Sequence, residues 1–173
     1  RRAILVTLAR LHEEAGEAQA AEGCWSAAAQ IAPDVDSWEA LARGARRAER
    51  RVAAADALSK AIGEAADPAE KERLTLEAAN DLAEGGELEQ AEAMLSGIAA
   101  SAPEPTAALL SLERVYRAIA ARTAPPEAVV QGKLADVLRR LASLTRDPAR
   151  RTGLSVEAAR TLSSGIGRDT EAA

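Results

Sequence analysis

The chain has 173 residues, of which 47% are apolar, 28% charged and 2% aromatic. This apolar fraction is too high for a disordered segment, and the length suits one domain or one array of repeats. A single Cys and a single His exclude an internal disulfide framework, and a Cys/His zinc site or catalytic pair would use the whole supply. No apolar run approaches the ~18 residues of a membrane-spanning helix, so we expect no membrane insertion.

The charge balance and the composition bear on partners and origin. The 22 Lys and Arg residues face 27 Asp and Glu, a net charge of −5, whereas nucleic-acid binding is typical of a basic surplus. We therefore expect no nucleic-acid partner. An Ala/Arg-rich, Lys-poor composition favours a bacterial protein. Neither an initiator Met nor a signal peptide is visible, so we interpret the sequence as a fragment of a longer protein and favour a cytoplasmic location.

A helical period runs from one end of the sequence to the other. Leu5, Leu8, Ala9 and His12 fall on one helical face, and similar spacings recur in the later segments. Gly and Pro residues break this period at intervals of roughly 12 to 20 residues. The sequence therefore predicts an all-α protein. Its nine helices are expected near 2–14, 17–31, 35–48, 50–65, 68–84, 87–101, 105–122, 126–145 and 148–163.

Capping signals support several of these helix starts. Asp67-Pro68 and Asp147-Pro148 each place a capping carboxylate before a Pro that suits the first helical position. Asp36 gives a similar signal for the third helix. Acidic residues in these first turns also favour the positive end of the helix dipole.

One internal repeat joins segment 67–85 to segment 147–165 at a constant offset. The matched residues of the first segment are Asp67, Pro68, Ala69, Leu74, Glu77, Ala78, Ala79, Leu82 and Gly85. Their counterparts are Asp147, Pro148, Ala149, Leu154, Glu157, Ala158, Ala159, Leu162 and Gly165. Ala matches are common in an Ala-rich protein, but the matched Asp-Pro pair, Leu, Glu and Gly are not. The repeat therefore indicates one structural unit used more than once.

At about half that offset, the alternation of large and small residues resembles the tetratricopeptide repeat (TPR) family. The first unit carries the pattern on Leu5, Leu8, Ala9, His12, Gly16, Ala21, Trp25, Ala28 and Pro33. The second carries it on Trp38, Leu41, Ala42, Ala45, Ala54, Leu58 and Ala61. The third carries it on Thr75, Ala78, Ala79, Leu82, Gly86, Ala91, Leu95, Ile98 and Pro103. The fourth opens with Leu109, Leu112 and Tyr116 but has Glu113 where the family places a small residue.

The resemblance implies a right-handed α-solenoid of antiparallel helix hairpins, in which small residues let crossing helices approach and larger ones fill the gaps. Residues 1–173 form a single array in this interpretation. Its units lie near 2–34, 35–68, 72–105 and 106–147, followed by a terminal helix at 148–163.

The resemblance also implies that the first helix of each hairpin lines a concave groove. One groove position is then occupied, in successive units, by Arg10, Arg43, Asn80, Arg114 and Arg160. The next position along that face carries Arg46 and Arg117. Guanidinium groups bind carboxylates and phosphates in bidentate fashion, so the expected ligand is an acidic peptide, the C-terminus of a partner protein or a phosphorylated segment. The alternative is that these arginines are solvated or form ion pairs within the protein.

The sequence as a whole favours a non-enzymatic scaffold that binds a protein or peptide partner, with no catalytic residue, no metal and no cofactor. Two other functions stay open. The array could be a regulatory or sensor arm of a kinase or transcription regulator, or a spacer or self-association element. For self-association, the terminal helix offers a partly exposed apolar strip of Leu154, Leu162 and Ile166.

Overall fold

The computed structural model of the protein describes residues 1–122 and 127–169, with side chains described as far as residue 163. These residues form nine α-helices, which confirms the predicted all-α class. The helices are α1 (Arg2–Glu14), α2 (Ala18–Ile31), α3 (Val35–Arg47), α4 (Arg51–Glu64), α5 (Pro68–Glu84), α6 (Leu88–Ser101), α7 (Thr106–Arg122), α8 (Ala128–Leu144) and α9 (Pro148–Asp169). Only α9 departs clearly from its predicted range, because it runs to Asp169 rather than 163. The added stretch contains Gly165 and Gly167; a Gly inside a helix costs about 1 kcal/mol but does not by itself end the helix.

The protein divides into two compact units, Arg1–Glu87 and Leu88–Ala173. In the first unit, α1 packs on α2, α2 on α3, α3 on α4 and α4 on α5. In the second unit, α6 packs on α7, α7 on α8 and α8 on α9. Within each unit, consecutive helices are therefore antiparallel neighbours, which is consistent with a helical-repeat arrangement. The repeat boundaries inferred from the sequence stay a prediction.

Capping carboxylates begin three of the helices. The Asp67 side chain accepts a hydrogen bond from the Glu70 amide at 3.3 Å, and the Asp147 side chain accepts one from the Ala149 amide at 3.0 Å. The third helix is capped by Asp34, which accepts from the Ser37 amide at 3.0 Å, and Asp36 lies in its first turn. The predicted helix start at residue 35 is confirmed, but the predicted capping residue, Asp36, was wrong by two residues, since two acidic residues flank Val35 and only the earlier one can reach the free amides.

Helices α1, α3 and α5 are each followed by a residue in the left-handed conformation, two positions after the last helical residue. Gly16, Glu49 and Gly86 have φ angles of 76°, 57° and 89°. In each case the amide of the following residue donates to the carbonyl five residues back, as from Glu17 to His12 at 2.8 Å and from Arg50 to Ala45 at 2.9 Å. This closing bond satisfies a carbonyl that the helix leaves unpaired. The recurrence of one turn geometry sets the same exit direction after α1 and α3.

Alanine supplies most of the buried apolar positions among the described residues. The fully buried alanines include Ala9, Ala28, Ala42, Ala54, Ala61, Ala78, Ala79, Ala91 and Ala135. Larger side chains fill the space beside them, and the fully buried leucines are Leu58, Leu74, Leu95, Leu109 and Leu138. The small residues let neighbouring helices approach closely, as the alternating pattern predicted.

The shared turn geometry yields a stability prediction. Gly16→Ala should lower the free energy of unfolding by about 1 kcal/mol, because a left-handed Ala costs roughly 1–2 kcal/mol and the stiffer unfolded chain returns only about 0.4–1 kcal/mol. By the same balance Glu49→Gly should raise it by up to about 1 kcal/mol. Urea unfolding of both variants measures these changes. Shifts of the same sign in the two variants would contradict the backbone argument.

Candidate functional site

The predicted site residues lie on α1, α3, α5, α7 and α9, the first helices of the predicted hairpins, and the structure divides them into two groups. Arg10 on α1 and Arg43 on α3 are exposed. Neither forms a hydrogen bond or ion pair with another residue that the structure describes. Ala9 of α1 and Ala40 of α3 belong to one buried cluster with Trp25 of α2, so both guanidinium groups stand on helices that share a core in the first unit.

Arg46, one turn after Arg43, has the opposite environment. Its Nε donates to both carboxylate oxygens of Asp81 on α5, at 3.0 and 2.8 Å, and its Nη2 donates to Glu77 at 3.1 Å. Asp81 is almost fully buried, with 3% of its surface exposed. Arg51 on α4 lies 3.4 Å from the same carboxylate. A nearly buried carboxylate is therefore held by two guanidinium groups from α3 and α4.

The ion pairs of the first unit extend into a network between α3 and α5. Arg73 bonds Glu39 and Glu77, each at 2.8 Å. The hydrogen bond to Glu39 is the main cause that raises the pKa of Arg73 above its ordinary value. For Arg46, burial acts to lower the pKa, but the bonds and charges of Asp81 and Glu77 together raise it. Both guanidinium groups are therefore charged and paired with carboxylates of the protein itself.

The second unit contains an equivalent ion pair. Arg117 on α7 bonds Glu157 on α9 at 2.5 Å and Glu113 on its own helix at 2.8 Å. The hydrogen bond to Glu157 is the first cause of the raised pKa of Arg117. Arg46–Glu77 and Arg117–Glu157 therefore join successive first helices in the same way. This pairing agrees with the alternative in which these arginines neutralise charges of the protein itself.

The remaining predicted residues differ in exposure. Arg160 on α9 is exposed and pairs with none of the side chains described. Arg114 on α7 is exposed and donates to the Ser111 hydroxyl at 3.0 Å. Asn80 on α5 is half-buried. Arg114 and Arg160 thus present charge at the surface of the second unit, as Arg10 and Arg43 do in the first.

The sequence contained a signal for the ion pairs. Glu77 and Glu157 are matched residues of the internal repeat, and they are the carboxylates that Arg46 and Arg117 bind. A Glu repeated on a helix face otherwise rich in Ala indicates that a basic side chain pairs with it in each copy. Which basic residue does so depends on how neighbouring helices are placed, and a single sequence does not supply that placement.

Four other residues that stand out in the sequence, His12, Cys24, Trp25 and Trp38, make contacts within the protein itself. His12 is half-buried, and its Nδ1 lies 2.5 Å from a Glu17 oxygen. Cys24 packs against the buried cluster that includes Trp25. Trp38 is only partly buried, and the Lys60 ammonium lies 4.7 Å from its ring centroid. The partly buried ring of Trp38 therefore interacts with a cation of its own protein.

Metal binding and membrane insertion find no support among the described residues. No three His, Cys, Asp or Glu side chains within residues 1–122 and 127–163 are grouped so that they could hold a metal ion. Over the described ranges, no helix combines the length and the apolar character needed to cross a membrane.

The two arginine environments yield a second prediction. Arg46→Met should lower the free energy of unfolding by about 2 kcal/mol, because Asp81 stays buried with Arg51 as its one remaining cation among the described residues. Arg117→Met should cost about 0.5 kcal/mol, since its carboxylates are more exposed and the pair is screened by solvent. Arg43→Met is the matched control on α3 and should change stability by less than about 0.5 kcal/mol. Urea unfolding gives all three values, and a loss for Arg43→Met equal to that for Arg46→Met would refute the division.

Comparison with known proteins gives no assignment. No model of a known protein family matches the sequence, and no curated protein matches it either.

Proposed function

We propose that the protein is a TPR-like, non-enzymatic interaction module that binds an acidic peptide segment on the exposed faces of its first helices. The residues proposed to contact a ligand are Arg10, Arg43 and Asn80 in the first unit and, as a separate surface, Arg114 and Arg160 in the second. They recognise charge and hydrogen-bonding groups, and none of them is a nucleophile. Arg46 and Arg117 position the helices in this proposal, because they are occupied by carboxylates of the protein itself.

The carrying observation is the contrast between neighbouring arginines on the same helix. Arg43 is exposed without a partner among the described residues, whereas Arg46, one turn later, binds Glu77 and Asp81. In a protein of net charge −5, an exposed guanidinium has many carboxylates within the same molecule to pair with. Arg10, Arg43 and Arg160 pair with none that the structure describes, so their guanidinium groups are available to a carboxylate or phosphate from outside.

Exposed apolar side chains accompany the arginines of the second unit. Leu110 and Val156 are 36% and 44% exposed, and they stand one turn before Arg114 and Arg160. Residues four apart share a helix face, so each arginine has an aliphatic neighbour on the same side. In the first unit, the partly buried Val6 stands one turn before Arg10. A ligand with alternating acidic and apolar side chains fits both features.

This proposal predicts a charge-specific loss of binding. The probe is a fluorescein-labelled peptide of alternating Glu and Leu, titrated with the protein by fluorescence anisotropy. The double variant Arg10→Glu/Arg43→Glu should bind at least about tenfold more weakly, since each charge-assisted hydrogen bond contributes about 1.5–3 kcal/mol. Added salt should weaken binding to the native protein, because exposed charges are screened.

The matched control changes the net charge equally at positions away from the first helices. Arg139→Glu/Arg146→Glu alters exposed residues on and after α8. It should retain most of the affinity. Equal losses in the two double variants would show that only net charge matters and would overturn the assignment of these arginines. Circular dichroism of each variant verifies that the helices are intact.

A further inference from the structure

A cleft with a volume of about 220 Å³ lies between α2, α3 and α4, within the first unit. Pockets for drug-sized ligands measure roughly 300–1,000 Å³, so this cleft suits a smaller molecule. Among the side chains that line it, Leu41 and Ala57 are apolar and half-buried or buried. Arg50, Asp56 and Lys60 also line it, and all three are exposed. The cleft therefore combines an apolar inner wall with charges that lie nearer the solvent.

The charges of the cleft balance, but only two of them neutralise each other. The Arg50 Nη2 donates to a Glu22 carboxylate oxygen at 2.6 Å, which pairs one charge of each sign. Asp56 forms no hydrogen bond or ion pair with another residue that the structure describes. Lys60 has no carboxylate within ion-pair distance in the same part of the chain. The cleft thus offers one carboxylate and one ammonium group without a partner of opposite charge.

Asp56 and Lys60 are close enough in the fold for one small molecule to reach both. They are four residues apart on α4, so they share a helix face with about 5–6 Å between their Cβ atoms. Such residues often pair, as Glu113 and Arg117 do on α7 at 2.8 Å. Here the Lys60 ammonium instead lies 4.7 Å from the centre of the Trp38 ring. The two charges therefore line the cleft as separate groups.

The indole N–H of Trp38 is a second, independent indication of a ligand. Trp38 lines the cleft, and its Nε1 atom is covered but has no acceptor among the described residues. A covered donor without an acceptor is unfavourable, and most such groups in proteins are satisfied. An oxygen atom of a bound molecule satisfies this donor. The exposed, flexible side chain of Lys60 can move with that molecule, because only its contact with the ring holds it there.

We propose that this cleft binds a small zwitterion with the chemistry of a free aliphatic amino acid. The ligand's ammonium group pairs with Asp56, and its carboxylate pairs with Lys60 and accepts a hydrogen bond from the Trp38 indole N–H. Its aliphatic side chain packs on Leu41 and Ala57. A ligand with a single charge leaves one of the two protein charges without a partner, so the cleft favours a molecule that carries both.

This site is independent of the proposed peptide surfaces. Neither Arg10 nor Arg43 lines the cleft. The terminal helix does not contribute either; Leu154 and Leu162 of its predicted apolar strip are half-buried, and the Ile166 side chain lies outside the described residues. Loss of peptide binding therefore leaves this proposal unchanged, and failure of this proposal leaves peptide binding unchanged.

NMR of the ¹⁵N-labelled protein tests the proposal, because the protein contains two tryptophans. Titration with L-leucine should shift the indole N–H signal of Trp38 and leave that of Trp25 in place. Trp25 is a matched internal control, since its N–H is also covered without an acceptor among the described residues but the residue does not line this cleft. Leucinamide lacks the carboxylate and N-acetyl-leucine lacks the ammonium, so each should bind about three- to tenfold more weakly than L-leucine.

Two variants assign the charges, and both change exposed residues, so the fold should tolerate them. Asp56→Asn should weaken L-leucine binding about three- to tenfold and leave N-acetyl-leucine binding unchanged. Lys60→Gln should weaken L-leucine binding to a similar extent and leave leucinamide binding unchanged. Lys71→Gln is the matched control, because it removes an exposed lysine that does not line the cleft.

Four results overturn the proposal. The Trp38 signal may not respond to L-leucine is the first form of failure, and equal shifts of the Trp38 and Trp25 signals are the second. Equal binding of L-leucine and leucinamide is the third, because an ammonium group alone would then suffice, as at the N-terminus of a peptide. The fourth is a loss of L-leucine binding for Lys71→Gln that equals the loss for Lys60→Gln.

Discussion

The close approach of helices at alanine positions is the constraint on which the rest of the structure depends. Residues such as Ala9, Ala42 and Ala78 are fully buried where a larger side chain would hold the helices apart. Each alanine buries little area, so a protein with 2% aromatic residues gains its stability from many small contacts between neighbouring helices. The contacts are local to neighbouring helices, and matched residues of the internal repeat such as Ala78 and Ala158 are both buried, each in its own unit.

The reach of the arginine side chain explains why the arginines divide as they do. Arg46 on α3 reaches Glu77 on α5, and Arg117 on α7 reaches Glu157 on α9. Arg43, one turn before Arg46, is exposed and pairs with no carboxylate among the described residues. Helix α3 thus carries arginines in two environments. Arg46 ties α3 to α5 through its ion pairs, and Arg43 lies exposed on the helix held in this way.

Much of the fold could be predicted from the sequence because its signals are local. The capping Asp67 and Asp147 and the helical period each depend on a few adjacent residues, and the structure confirms them. Apart from the cap of α3, which is Asp34 and not Asp36, the errors concern relations between helices. A helical period identifies Leu8 as apolar on one face, yet Leu8 is 40% exposed, because whether another element covers that face depends on the rest of the array. The partners of Arg46 likewise depend on the distance between α3 and α5, which no spacing along the sequence encodes.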